Sequence, residues 1–241
     1  MKKLIINADD FGYSRAINYG IMDCFQYGVL SSATFMANMP GAEHAADLAK
    51  QNPGLGVGVH LVLTCGEPIL ENHKTIVDVS GKFRKLAFYE SAFNIELDEV
   101  YNEWKAQIER FLSYGLKPTH LDSHHHINTY KGIRDIFCQL AAEYNLPVRK
   151  NMELPSNLKH PDQFEYYVEQ ILSDESSLMG AFQEADTVEV MCHPGYLDKA
   201  VVGGSSYTYP RLDELELLMS DRVEQVLKNC KDVKLTTFES L

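Results

Sequence analysis

"KLIINADDFGYSRAINYGIMDCFQYGVL", residues 3–30, contains the two periodicities that decide the fold. Lys3 to Ala8 is a short β-rich apolar run. Ser14 then offers a helix N-cap, and Ile17, Ile21, Phe25 and Val29 recur at the spacing of one helix face. A strand feeding straight into an amphipathic helix is the repeating half of a parallel α/β sheet, provided that the pattern recurs.

It does recur. Leu30–Ala37 reads as a second strand, followed by a helix over "GAEHAADLAK" (41–50) that "NPG" closes. Leu55–Leu63, "LGVGVHLVL", reads as a third strand, its glycines implying close backbone packing or a nearby ligand. "KPTHLDSH" (117–124) gives the fourth strand, "KGIRDIFCQLAAEY" (131–144) a helix and "LPVRK" (146–150) the fifth strand. A helix-rich stretch over Asp162–Gln183 precedes the sixth strand, "TVEVMCH" (187–193). A helix over Leu212–Asn229 and a seventh strand, "VKLTTF" (233–238), complete the pattern.

Alternation of this kind over 241 residues predicts a closed or nearly closed (β/α) barrel, seven-stranded or distorted TIM-like, as one domain over 1–241. An open doubly wound sheet is the alternative. "GVGVH" has neither the spacing nor the position of a dinucleotide fingerprint. From about residue 64 to 97 the periodicity is weak, which marks an insertion of the kind that serves as lid, binding loop or oligomer contact. Asp98 then caps a helix through Val100, Trp104, Ile108, Phe111 and Leu112, with Trp104 expected to pack.

Composition narrows the partners. The hydrophobic fraction of 45% suits a substantial core, and a formal net charge of −12 repels phosphate backbones, which excludes nucleic acid. Cys24, Cys65, Cys138, Cys192 and Cys230 are widely spaced, without a C-x-x-C pair, so neither a disulfide framework nor a thiolate zinc site is expected. The apolar run in "MKKLIINADD" is too short for a signal peptide and no run approaches membrane-spanning length. A cytoplasmic location with no membrane partner is expected.

The ionisable groups collect at strand ends. Asp9 and Asp10 follow strand one, and His60 lies late in strand three. Asp122, His124 and His126 end strand four, Arg149 ends strand five and His193 ends strand six. In an α/β barrel those ends converge on one face, where catalytic groups sit. "HLDSHHHIN" (120–128) alone supplies imidazole and carboxylate together, a usual ligand set for a divalent metal. Plainer readings exist for each. One aspartate of the pair can cap the next helix, and His60 among Val59, Leu61 and Val62 can be a satisfied core histidine. Asp122 can orient an imidazole, and Arg149 can be a structural ion-pair partner. Their joint placement argues for an enzyme. On an extended segment His124 and His126 share one side and His125 points away.

"NADDFG" (7–12), "GVHLVLT" (58–64), "THLDSHHHIN" (119–128) and "EVMCHPGY" (189–196) stand in series. With them the chain resembles, over residues 3–211, the YdjC-like carbohydrate deacetylases, within them the chitooligosaccharide deacetylase branch. The resemblance implies a (β/α) barrel, one divalent metal (Mg²⁺ by family), removal of N-acetyl groups from oligosaccharides, and a homodimer. It places metal histidines at His60 and His124, the metal carboxylate at Asp10 and the general base at Asp9. By ligand type, two imidazoles and a carboxylate suit Zn²⁺, Co²⁺ or Mn²⁺ better than Mg²⁺.

Amide hydrolysis also needs a proton for the leaving amine, and His193, arriving across the mouth, fits that role. Direct metal ligation is the alternative for it. Arg149 is expected to orient Asp9 or bind a sugar hydroxyl, and His126 to reach the substrate. Tyr196, with Tyr207 and Tyr209, is a candidate to stack on sugar rings. A metal-dependent sugar phosphoesterase would want more ligands and more Lys/Arg, and a sugar isomerase a Lys or Glu base beside the metal. A sugar-binding protein without turnover is the non-enzymatic rival.

Overall fold

β1 (Lys2–Phe11) runs through the centre of the structure, a computed structural model describing residues 1–241. The other strands are β2 (Ser32–Phe35), β3 (Gly56–Leu61), β4 (Leu121–Ser123), β5 (Gln163–Glu165), β6 (Thr187–Cys192) and β7 (Val233–Leu235). All pair in parallel in the order β4-β3-β2-β1-β6-β5, with β7 added to the start of β1. Ten helices connect and cover them: α1 (Arg15–Tyr27), α2 (Ala42–Gln51), α3 (Leu86–Tyr89), α4 (Leu97–Ser113), α5 (Ile133–Glu143), α6 (Val168–Ile171), α7 (Glu175–Ala181), α8 (Lys199–Gly204), α9 (Tyr209–Leu218) and α10 (Asp221–Asn229). The sheet is a half-barrel of parallel strands, the α/β class that the alternation predicts. None of these helices is long and apolar enough to cross a membrane.

Strands covered on both faces read as apolar runs, and Leu4, Ile5 and Ile6 on β1 are all fully buried. Ser14 caps α1 by accepting from the Ile17 backbone N–H at 3.3 Å, and Ile17 and Ile21 turn to the core. Trp104 is fully buried in α4, its indole N–H donating to Val62 O at 3.3 Å. Glu96, not Asp98, is the N-cap of that helix. Asp98 instead lies in its first turn, where its charge suits the helix dipole.

The fifth strand is a correction. Val148 meets Leu121 in one isolated parallel bridge and no ladder extends from it. Pro147 has no N–H to give, and the Leu146 N–H goes to Ala141 O at 2.9 Å, so pairing cannot propagate. The strand lies later, as β5, against β6 and inside the stretch expected to be helical. The helix expected over Leu212–Asn229 is two helices, with Ser220 between them capping the second through the Val223 N–H at 3.3 Å.

The 64–97 insertion is tied to α4 by two carboxylates one turn apart. Fully buried Glu103 accepts the N–H groups of Ile69 (2.9 Å) and Leu70 (3.0 Å) and lies 3.1 Å from His73 Nε2. Glu99 accepts those of Lys74 and Thr75, both at 2.8 Å. Ile76, Phe83 and Tyr89 join the main apolar core, so the segment forms a wall that presents Lys85, Leu86 and Ala87 to the mouth.

At the other end of β4, His120 is fully buried and stacked on Phe238 with ring centroids 3.6 Å apart. Its Nε2 has no partner. Burial, with the Arg149 charge beyond it, holds His120 well below the ordinary value of 6.5. The folded state therefore binds fewer protons here than the unfolded chain as pH falls below about 6.5, and stability is lost in that direction. The His120→Gln variant is expected to lose less per pH unit on acidification, by up to about 1.4 kcal/mol. Urea titrations from pH 7 to 5 read the difference, and equal slopes would discard this origin for acid sensitivity.

Candidate active site at the mouth of the half-barrel

Neighbouring side chains on a strand normally point to opposite faces, yet Asp9 and Asp10 both line one cavity at the C-terminal end of β1. The register with β2 shifts between Ala8 and Phe11, and Asp10 takes a left-handed φ of 70°. That irregularity turns both carboxylates inward; strain of this kind collects at functional sites. The cavity measures about 670 Å³.

The three histidines after β4 depart from the extended geometry expected of them. They form a tight turn, with His125 and His126 at φ 57° and 50°. All three consequently reach the cavity. His125 does not point away: its Nδ1 lies 3.0 Å from Thr64 Oγ1, and its ring sits 3.8 Å from that of His124. His126 Nδ1 lies 3.0 Å from the Asn151 amide nitrogen.

Asp10, His60 and His124 each turn a donor atom to one point, all within 4.8 Å of one another. Asp10 Oδ1 lies 3.0 Å from His124 Nδ1 and 3.6 Å from His60 Nε2. It is buried and accepts no hydrogen bond. A buried carboxylate oxygen left unpaired between two imidazoles costs free energy unless something positive shares it. The second carboxylate oxygen is satisfied by Arg211 Nη2 at 2.6 Å. Burial would raise the Asp10 carboxyl, but Arg211 and His124 hold it well below the ordinary range and so ionised.

Asp122 sets the tautomer of His60. Its Oδ1 lies 2.6 Å from His60 Nδ1, so that nitrogen carries the proton and Nε2 is free toward Asp10. Burial alone would depress His60, yet Asp122 and Asp9 push it up to about 9. The surrounding carboxylates demand positive charge at this place, which a divalent cation satisfies. A second possible ligand group, Asp9 with His60 and Asp122, fits less well. The Arg149 guanidinium already occupies it, 2.7 Å from Asp9 Oδ1 and 3.0 Å from Asp122 Oδ2.

Arg149 is fully buried. Its two Nη atoms grip Asp9 bidentately at 2.7 and 2.8 Å, while Nε donates to Glu189 Oε1 at 2.8 Å. One guanidinium thus joins β1, β4 and β6, which requires the sheet to curl. Burial would raise Asp9, but Arg149 and then His60 hold it far below the ordinary carboxylate range. Of the two roles expected for Arg149, orienting Asp9 is the one its position allows, since a sugar cannot reach it.

His193 follows β6, and its Nε2 lies 3.8 Å from Asp9 Oδ2 across the mouth. Its backbone N–H donates to Glu214, which also accepts from the Tyr207 hydroxyl. Tyr196 is not at the site. Its hydroxyl donates to Asp23 Oδ2 at 2.6 Å on α1, and its ring stands outside the cavity. Arg211, Glu214 and Glu189 escaped the sequence reading. Arg211 lies in the first turn of α9 and Glu214 in its middle, with no neighbouring motif to mark them. Their one signal is a pair of charges three apart on a face that proves to be buried.

A family model described as YdjC-like protein matches residues 3–229. The chain belongs to the YdjC-like family. Among curated YdjC-like relatives, a carbohydrate deacetylase of Clostridium beijerinckii is 41% identical, with 99% of this chain and 100% of the relative covered. A chitooligosaccharide deacetylase of Yersinia enterocolitica is 39% identical over 94% of each chain. A crystal structure from Enterococcus faecalis V583, of a protein named for cellobiose-phosphate cleavage, superposes with a TM-score of 0.89 at 33% identity. It covers 99% of this YdjC-like chain and 98% of its own.

Proposed function

We propose that this chain is a metal-dependent carbohydrate deacetylase that hydrolyses N-acetyl groups of chitooligosaccharide-like sugars to acetate and free amine. The observation that carries the reading is the unpaired Asp10 Oδ1 between His60 and His124, facing Asp9 and His193 across a sugar-sized mouth. The relatives' names support the substrate class. A divalent cation held by Asp10, His60 and His124 supplies Lewis acidity, polarising the amide carbonyl and lowering the pKa of a nearby water. Softness of this donor set favours Zn²⁺, Co²⁺ or Mn²⁺, with Mg²⁺ the family alternative. The resemblance also carries a homodimer, which sedimentation reads directly, and the cytoplasmic location expected from the sequence is kept with it.

Asp9 accepts the proton of the attacking water, kept ionised and aimed by Arg149. His193 delivers a proton to the amine nitrogen as the C–N bond breaks, without which the tetrahedral intermediate reverts. His126 lies where it can meet the sugar. A phosphoesterase reading is weaker because Arg211 is spent on Asp10 and Arg149 is sealed away, which leaves Lys85 as the one ammonium lining the cavity.

Acetate release from N-acetylglucosamine oligomers, set against phosphate release from sugar phosphates, tests the reading. Chelation should abolish acetate release and a metal series restore it. Phosphate without acetate would replace the proposal. For His193→Ala, metal content should persist while turnover on an N-acetyl sugar falls by roughly 10²–10⁴. An acyl substrate whose leaving group needs no proton should lose far less. Equal losses on both would remove the general-acid role.

A further inference from the structure

Two adjacent tyrosines at the C-terminal end of β5 take no part in the chemistry above. Tyr166 is 44% exposed and Tyr167 59%, and neither hydroxyl has a hydrogen-bond partner among the side chains and backbone around it. By contrast, the Tyr196 hydroxyl is committed to Asp23 and that of Tyr207 to Glu214. Large exposed rings without polar duty invite a binding explanation.

Their position gives it. Glu165 pairs with Val190, which brings Tyr166 level with Met191, a cavity-lining residue of β6. The Tyr166 ring stands edge to face with His126, centroids 5.3 Å apart at 82°. It also packs on Phe164 at 4.6 Å, and Phe164 is itself held from behind by the Arg149 guanidinium at 4.8 Å. His126 lines the cavity and Tyr166 does not, so the ring stands one step beyond the rim. It is an aromatic ledge, continuous with the site and braced by buried Phe164 and by His126.

We propose that Tyr166, supported by Phe164 and His126, is a stacking platform for the sugar unit next to the one that loses its acetyl group. The inference rests on the deacetylase reading and deepens it by assigning the side chain that favours a second sugar ring. A pyranose in the chair form presents a face of axial C–H bonds, apolar and with partly positive hydrogens, which suits the negative face of an aromatic ring. The charged groups lie inside the cavity, where the reacting amide is, while the ledge asks only for a flat neutral ring.

The test compares wild type, Tyr166→Phe and Tyr166→Ala on N-acetylglucosamine, its β-1,4-linked disaccharide and the trisaccharide. Tyr166→Ala should reduce the preference for disaccharide over monosaccharide, as a ratio of kcat/KM, by roughly 2- to 12-fold, carried by KM. Tyr166→Phe should keep the preference, because no hydroxyl contact is involved. Calorimetric titration of the disaccharide onto Asp9→Asn, with and without Tyr166→Ala, reads the contact without turnover and should show the same loss. An unchanged length preference with unchanged affinity overturns the ledge. So does a Tyr166→Ala protein whose one alteration is its oligomeric state, because the rings would then serve a subunit contact. If wild type releases no acetate from any of the three sugars, the deacetylase reading fails, and the titration alone decides the ledge.

Discussion

Asp9→Asn is expected to retain its metal and lose turnover by roughly 10²–10⁴-fold, the range for a missing acid–base group. Asparagine keeps the shape and one acceptor for Arg149, but its amide cannot take a proton from water. Asp10→Asn should do the reverse at the first stage. It deletes the charge on the oxygen that faces both His60 and His124 and accepts no hydrogen bond, so the metal itself should leave. Metal analysis after dialysis, run beside acetate release, separates the two. An emptied site in Asp9→Asn with a filled one in Asp10→Asn would exchange their roles. The pH profile offers a second check. Because Arg149 holds Asp9 far below the ordinary carboxylate range, the base is ionised throughout the working pH. The acid limb of kcat/KM should therefore not report a carboxylate near its usual value.

The convergence of ionisable groups was readable because strand ends are. Apolar runs locate strands, parallel pairing puts their C-terminal ends on one face, and Asp9, Asp10, His60, His124 and His193 stand at those ends. What could not be read depends on backbone detail or distant contact. A bulge with a left-handed Asp10 puts two adjacent carboxylates on one side, and strict alternation would have denied that. The His124–His126 turn abolishes alternation again, which brings His125 to the cavity against expectation. The fifth strand failed on Pro147 and on the tail of α5 taking the Leu146 N–H, a competition that no propensity records. Tyr196 failed for a simpler reason: a tyrosine near a site is as easily claimed by a surface aspartate as by a sugar. Arg211 meets Asp10 across 201 residues of sequence, and only the folded sheet joins them.

The heaviest effect on stability is expected at Arg149. Three carboxylates, Asp9, Asp122 and Glu189, surround one guanidinium with no solvent to share the charge. Replacing such a cluster wholesale by apolar side chains can be neutral, but removing its one cation strands three buried acids. Arg149→Met should therefore cost about 3–5 kcal/mol, the range for breaking a buried pair. The cost should depend on pH in a definite direction. Burial lifts the Glu189 carboxyl to about 7 even though the Arg149 charge beside it pulls the other way. Without the guanidinium these acids shift higher still, so the folded variant holds protons that the unfolded chain releases near pH 4 to 5. A group whose folded pKa is raised loses stability as pH rises, so the penalty should be mild near pH 5 and grow toward pH 8. Arg149→Lys keeps one charge but not the planar fork, and should fall between wild type and Met. Urea unfolding of the three proteins at pH 5, 6.5 and 8 gives the comparison. A penalty below about 1 kcal/mol, or one that shrinks as pH rises, would mean that the carboxylates find another counter-charge, and Arg149 would then not be the strut between β1, β4 and β6.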